Sequence, residues 1–190
     1  NACGDFSQSL GYQATASGTY SQALGSQATA SGDYSQASGV EAIAAGDFSQ
    51  AMGVYASASG NYSQALGFEA YSPSNYSQAS GFYATACGDY SQAIGAYAST
   101  FGTASQALGY YSNATFPNST AIGVGANTVR ANQMVLGRSD TEVTIANLER
   151  TGSHNPQAVY VQTDGTLTRS TSIATGLGAS AHGENALANG

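Results

Sequence analysis

The residues of this 190-residue chain that could do chemistry are two histidines, two cysteines, a recurring serine and a spaced set of aspartates. His154 and His182 lie far apart, and neither has Cys, His or carboxylate neighbours at metal-ligand spacing. They read as exposed polar residues. Serine recurs at Ser7, Ser21, Ser35 and onward to Ser119, but no nucleophile elbow surrounds any copy, so it reads as a small inward residue. Asp5, Asp33, Asp47 and Asp89 share one repeat slot with Asn61, Asn75, Thr19 and Thr103. Carboxylates stacked along a sheet edge could hold Ca²⁺. The calcium-roll nonapeptide is missing, however, and Asp or Asn is an ordinary turn residue. Cys3 and Cys87 occupy one slot six units apart. At one coil per unit that is roughly 29 Å, far outside disulfide reach within a chain, so they read as small buried spacers. No catalytic residue, cofactor site or metal site is expected.

What must position such residues is a repeat. Glycine returns every seven residues: of the 18 positions from Gly4 to Gly123, 16 are glycine, with Ser74 and Phe116 the exceptions. The full unit is 14 residues: Gly, a small polar residue, Tyr or Phe, Ser-Gln-Ala, an aliphatic or Ser, Gly, two variable residues, Ala, a variable residue, Ala, and a small residue. Fixed glycine costs about 1 kcal/mol per site in a helix, which excludes a coiled coil, and collagen needs glycine at every third residue. Alternation with period two between glycine turns fits a β-solenoid.

The expected fold is all-β, a parallel roll of 14-residue coils. In one unit Ser35 and Ala37 face inward from a strand Tyr34–Ser38, with Tyr34, Gln36 and Ser38 outward; in the second strand Ala42 and Ala44 face inward, with Glu41 and Ile43 outward. Nine such coils span roughly 43 Å. An Ala/Ser interior removes little apolar surface, so more burial is expected between chains. The outward slot after Ser-Gln-Ala supplies it with Leu10, Leu24, Met52, Leu66, Ile94, Leu108 and Ile122, a seam for an obligate oligomer. On the same face Gln8, Gln22, Gln36, Gln50, Gln64, Gln78, Gln92 and Gln106 are placed for an amide ladder along the axis.

Composition narrows the partners. Up to residue 129 there are six acids (Asp5, Asp33, Glu41, Asp47, Glu69, Asp89) and no base, which disfavours nucleic acid and anionic lipid. No run of 18 apolar residues is present, so no membrane-inserting helix is expected in this segment. The chain opens and stops inside repeats, and is expected to be part of a longer protein.

"NSTAIGVGA" (118–126) and the "SQALG" and "SQAIG" units resemble the YadA-like head repeats of trimeric autotransporter adhesins, surface proteins of Gram-negative bacteria. The resemblance implies a left-handed roll, association as a homotrimer, and attachment to a host or prey cell surface, matrix protein or glycan. It implies an extracellular location on the bacterial surface. Residues 127–150 look like the neck or connector that follows such heads. Residues 151–172 carry a hairpin signal, "AVYVQ", "TDG", "TLTR". Residues 173–190 resume the glycine beat at Gly176, Gly183 and Gly190 as the start of a second repeat stretch.

Two sets of aromatics stand out. Phe6, Tyr20, Tyr34, Phe48, Tyr62, Tyr76 and Tyr90 are expected to form a ladder beside the seam. Tyr55, Tyr83, Tyr97 and Tyr111, with Phe68, Phe82 and Tyr71 near them, are expected on the outer face of the second strand, as a partner-binding surface. The functional expectation is a non-enzymatic structural adhesin. A spacer in a phage or predatory-bacterial trimeric fibre is the alternative. Ice binding is disfavoured because the outer slot Thr15, Thr29, Ile43, Ser57, Tyr71, Thr85, Ser99, Asn113 is too irregular for a lattice match.

Overall fold

The computed structural model describes residues 1–141 and, beyond them, the backbone of four short strands. Each 14-residue coil contributes one strand to each of two parallel sheets. The ten-stranded sheet runs from Gln8–Leu10 to Met134–Leu136, and the eight-stranded sheet from Thr15–Ala16 to Asn113–Ala114. Pairing is strictly by repeat, Gln36 beside Gln50 and Ile43 beside Ser57, so identical slots stack along the axis. Residues 127 onward, where the connector was expected to open, contribute the tenth strand: Met134–Leu136 pairs in register with Thr120–Ile122.

The strands are shorter than the alternation suggests. Each coil spends four residues on each of two turns and one on a link after the second strand, leaving strands of three and two, as in Gln36–Ser38 and Ile43–Ala44. Tyr34 and Glu41, expected on strands, instead sit at the third turn position with φ of +58° and +53°. The same holds along the roll: 18 non-glycine residues have φ between 50° and 59°. A turn with a positive φ at its third residue ordinarily puts glycine there. Here glycine is spent on the first turn residue in all but two copies, because the coils approach closely there. A Cβ on Gly46 would meet the carbonyl of Gly60 closer than 3.0 Å, and one on Gly53 would meet that of Gly67.

The two glycine rows are not equivalent. In the second turn, glycines from Gly11 to Gly123 have φ of +113° to +145°, and all nine positions are glycine. In the first turn no left-handed φ is required of glycine, and both exceptions, Ser74 and Phe116, fall in that row. At those two coils the hydroxyls of Ser77 and Ser119 donate to the carbonyls of Ser74 and Phe116.

The interior is a file of small side chains. Every fully buried apolar residue among those described is alanine, and the largest buried side chains are Thr100 and Thr128. Ser35, Ala37, Ala42 and Ala44 all point inward as the alternation requires. Three further hydroxyls in the file pair with the fixed serine, Ser72 with Ser77 at 2.6 Å, Thr100 with Ser91 at 3.0 Å and Thr128 with Ser119 at 3.1 Å, while Ser112 donates to the Gly109 carbonyl at 2.9 Å.

Farther on, Val159–Val161 and Leu167–Arg169 pair antiparallel on either side of the "TDG" segment, which lies outside the described residues. Ile173–Thr175 and Leu187–Asn189 pair in parallel at a 14-residue offset, as a resumed repeat requires. The rest of 142–190, including the last part of the expected connector and His154 and His182, lies outside the described residues.

Gly53→Ala combines a forbidden Cβ contact with a left-handed φ, and should cost about 3 kcal/mol or more, at the upper end of single-site effects. Gly46→Ala, with the contact alone, should cost less. Thermal unfolding followed by circular dichroism checks the order.

Candidate functional site

The outer surface has four distinct strips, each set by one repeat slot. The first is the aromatic ladder at the first turn. Phe6, Tyr20, Tyr34, Phe48, Tyr62, Tyr76 and Tyr90 stack ring on ring at centroid spacings of 4.8–5.1 Å with interplanar angles of 2–13°. A left-handed φ costs a non-glycine residue roughly 1–2 kcal/mol, and a stacked pair returns about 0.5–1.5 kcal/mol beyond its buried area. The two are comparable, which is why an aromatic is tolerated where glycine would otherwise stand. The ladder is not beside the leucine row as expected. Ladder and leucines are separated by four positions along the chain, as from Tyr20 to Leu24, roughly 13 Å of extended backbone.

Beside this ladder runs a second, polar one. Each Asp or Asn oxygen accepts from the backbone N–H of the same slot one coil back: Asp33 from Thr19 at 2.8 Å, Asp47 from Asp33, Asn61 from Asp47, Asn75 from Asn61 and Asp89 from Asn75, each at 3.0 Å. The aspartates are thus turn residues that tie coils together. No group of three or more metal-ligating residues exists among the described residues.

The apolar strip is where the seam was expected, and it is wider. Leu10, Leu24, Met52 and Ile94 are exposed, while Leu66, Leu108 and Ile122 are half-buried. Across the second glycine row lies a companion file that sequence reading classed as variable: Tyr12, Val40, Val54, Phe68, Phe82, Tyr110 and Val124, all exposed. Its signal was a 14-residue recurrence of apolar character, broken by Ser26 and hidden because side-chain size changes from copy to copy. The amide ladder forms at one place among the expected glutamines, where Gln78 donates to Gln64 at 3.1 Å. Gln22, Gln36, Gln50, Gln92 and Gln106 stack by backbone register without an amide–amide bond.

The fourth strip is the second turn. Tyr55, Tyr83, Tyr97 and Tyr111 occupy its left-handed position, not the second strand's outer face, with φ of +54° to +59°. Tyr83 and Tyr97 stack at 5.6 Å, and Tyr97 and Tyr111 at 4.7 Å. Phe68 and Phe82 pack edge-on against this file, Phe82 at 4.5 Å from Tyr83. Tyr55 joins through Phe68 at 6.1 Å. Tyr71 is separate: it lies on the strand Tyr71–Ser72, exposed, with no ring contact among the described residues. The Tyr83 hydroxyl donates to Glu69 at 3.0 Å, and that bond, followed by desolvation, raises its pKa. Of the four tyrosines in this file, Tyr97 alone is stacked on both faces, and it offers its ring edge and hydroxyl to a partner.

The cysteines are both free, and neither is fully buried: Cys3 is exposed and Cys87 half-buried, since their slot precedes a turn and points outward. Partial burial pushes the Cys87 thiol pKa up, away from thiolate chemistry.

These features define a class, a repeat-built parallel β-roll whose repeat slots set out continuous strips on its surface. The YadA head domain repeat matches residues 4–28, 16–35, 37–63, 46–70 and 102–126. Among solved structures, the collagen-binding domain of the Yersinia adhesin YadA is similar at 28% identity with a TM-score of 0.68, covering 79% of this chain and 84% of that one. No curated protein sequence matches the chain. The chain carries YadA head repeats on the fold of a YadA-like adhesin head, and these support an adhesin-type structural role.

Glu69→Gln removes the carboxylate that accepts from Tyr83. Tyr83 should then ionise at lower pH than in the parent, closer to the ordinary 10.0, in a tyrosinate absorbance titration. The raised value favours the neutral phenol, so this contribution to folding is present below the unfolded pKa and is lost as pH rises through the folded one.

Proposed function

We propose that this chain is a segment of a homotrimeric, non-enzymatic surface fibre that attaches a bacterium to cells or to extracellular matrix. The observation that carries the reading is the double apolar strip. A roll with an interior of alanine and serine exposes two files of Leu, Met, Ile, Val and aromatic residues along its second glycine row. Soluble monomers rarely expose contiguous apolar surface on this scale, and copies of the same chain fit the strip because every coil repeats it. In this reading Leu24, Met52, Leu66, Ile94, Leu108 and Ile122, with Gln22, Gln36, Gln50, Gln64, Gln78, Gln92 and Gln106 on the same sheet face, line the contact between chains. Residues 1–126 form the head, followed by the connector, the hairpin module and a second repeat stretch.

Attachment falls to the exposed tyrosines Tyr55, Tyr83, Tyr97 and Tyr111, with Tyr71 on the neighbouring sheet. Collagen binding by the similar Yersinia domain supports a matrix protein as partner. The stacked faces of Tyr97 favour an extended polypeptide met by ring edge and hydroxyl at the centre of the file.

Leu66→Asp should dissociate or unfold the particle in multi-angle light scattering; an intact trimer would place the seam elsewhere. Tyr83→Ser with Tyr97→Ser should lower adhesion to immobilised collagen and cultured cells at least tenfold with the oligomer intact. Loss of the oligomer instead would assign these rings to packing between chains.

A further inference from the structure

The first-turn ladder stops abruptly. Coil by coil its left-handed position reads aromatic from Phe6 to Tyr90, then Ala104, then Asn118. Ala104 keeps the backbone of the ladder, with φ of +54° and its N–H donated to the Asp89 carbonyl at 2.8 Å, but supplies no ring. One face of Tyr90 is therefore open. Tyr90 is 61% exposed, whereas Tyr20, Tyr34, Phe48, Tyr62 and Tyr76 inside the stack are 45–50% exposed. Tyr90 and Asn118 are two coil steps apart, roughly 9.5 Å. That is the space one further flat group fills at the ladder's own spacing. The polar ladder breaks at the same coil, since Thr103 replaces the Asp or Asn whose oxygen would accept from the Asp89 N–H.

We propose that this step above Tyr90 is a docking notch for an arginine side chain of a partner polypeptide. Charge selects a cation: residues 1–129 carry six acids and no base, and Asp89 adjoins Tyr90 with only Oδ1 engaged, by the Asn75 N–H at 3.0 Å. Shape selects a plane, because a guanidinium stacks on an aromatic face and presents its edge to a carboxylate, while an ammonium has no face to stack. The chain itself supplies a precedent at the other turn. There the tyrosine file ends at Tyr111, the next position is Gly125 with φ of +65°, and the space a side chain at 125 would enter holds the Cγ, Cδ and Nε of Arg138. One ladder end is followed by a coil into which an arginine of this chain reaches; the other is followed by Ala104.

The test uses the oligomer labelled with 3-fluorotyrosine, the Tyr90 ¹⁹F signal being assigned by Tyr90→Phe. Probes are acetyl-Gly-Arg-Gly-amide, its lysine counterpart and methyl glucoside. The arginine peptide should shift the Tyr90 signal saturably, with the lysine peptide roughly two- to five-fold weaker. Ala104→Tyr extends the ladder without changing charge and should abolish the shift; Asp89→Asn should weaken it while circular dichroism stays unchanged. A Tyr90 signal indifferent to the arginine peptide, an unaltered response in Ala104→Tyr, or a response to the glucoside alone would each overturn the assignment. The notch lies on the turn opposite Tyr83 and Tyr97, so its failure leaves the adhesion assay on those tyrosines unaffected, and the reverse also holds.

Discussion

Coil-on-coil contact at the glycine rows governs the molecule. A Cβ at Gly46 or Gly53 would intrude on the carbonyl of the next coil, so the backbone there must be bare. Bare backbone lets turns stack as closely as strands do. The turns then join the hydrogen-bond ladder: Tyr34 N–H reaches the Thr19 carbonyl at 2.8 Å, and Glu41 N–H reaches that of Ser26 at 2.8 Å. Once turns are in register, whatever side chain occupies a slot meets its own equivalent. Ring stacks, the aspartate file and the apolar strips all descend from that one constraint.

The division of labour inside each turn follows from it. Glycine is consumed by the close approach, and the left-handed position passes to residues that ordinarily avoid it. Aromatics stabilise that position by stacking with the coils on either side. Polar residues do so by amide contacts, as Gln27 does with Gln13 at 3.3 Å and Asn118 with Asn132 at 3.2 Å. Ala104 has neither, which is why it marks a discontinuity and not merely another variant.

Much of this was legible from spacing. The 14-residue coil, the inward Ser35, Ala37, Ala42 and Ala44, the outward leucine slot and the separation of Cys3 from Cys87 all follow from period-two alternation between glycines. What stayed hidden was the length of the strands. Alternation continues through Tyr34 and Glu41 as though they were extended, and nothing in residue type reveals a left-handed φ carried by tyrosine or glutamate. That single misplacement moved the aromatic ladder next to the leucines and put Tyr83 and Tyr97 on a strand. The Val40–Val54–Phe68–Phe82 file was missed for a different reason: variable size, with a break at Ser26, masked its recurrent apolar character. The aspartate bonds were invisible because their acceptor role depends on a neighbour 14 residues away, not on local sequence.

The aspartate file also has a direction. Every one of its bonds runs from a backbone donor in one coil to a side-chain oxygen in the next, never the reverse. Each coil thus offers forward the surface it receives from behind, and gaining or losing a whole unit creates no mismatch. Recombination between copies could lengthen or shorten the rod in steps of about 4.8 Å, leaving the remaining joints undisturbed. Reach becomes a heritable dial, set separately from the decorations each unit displays.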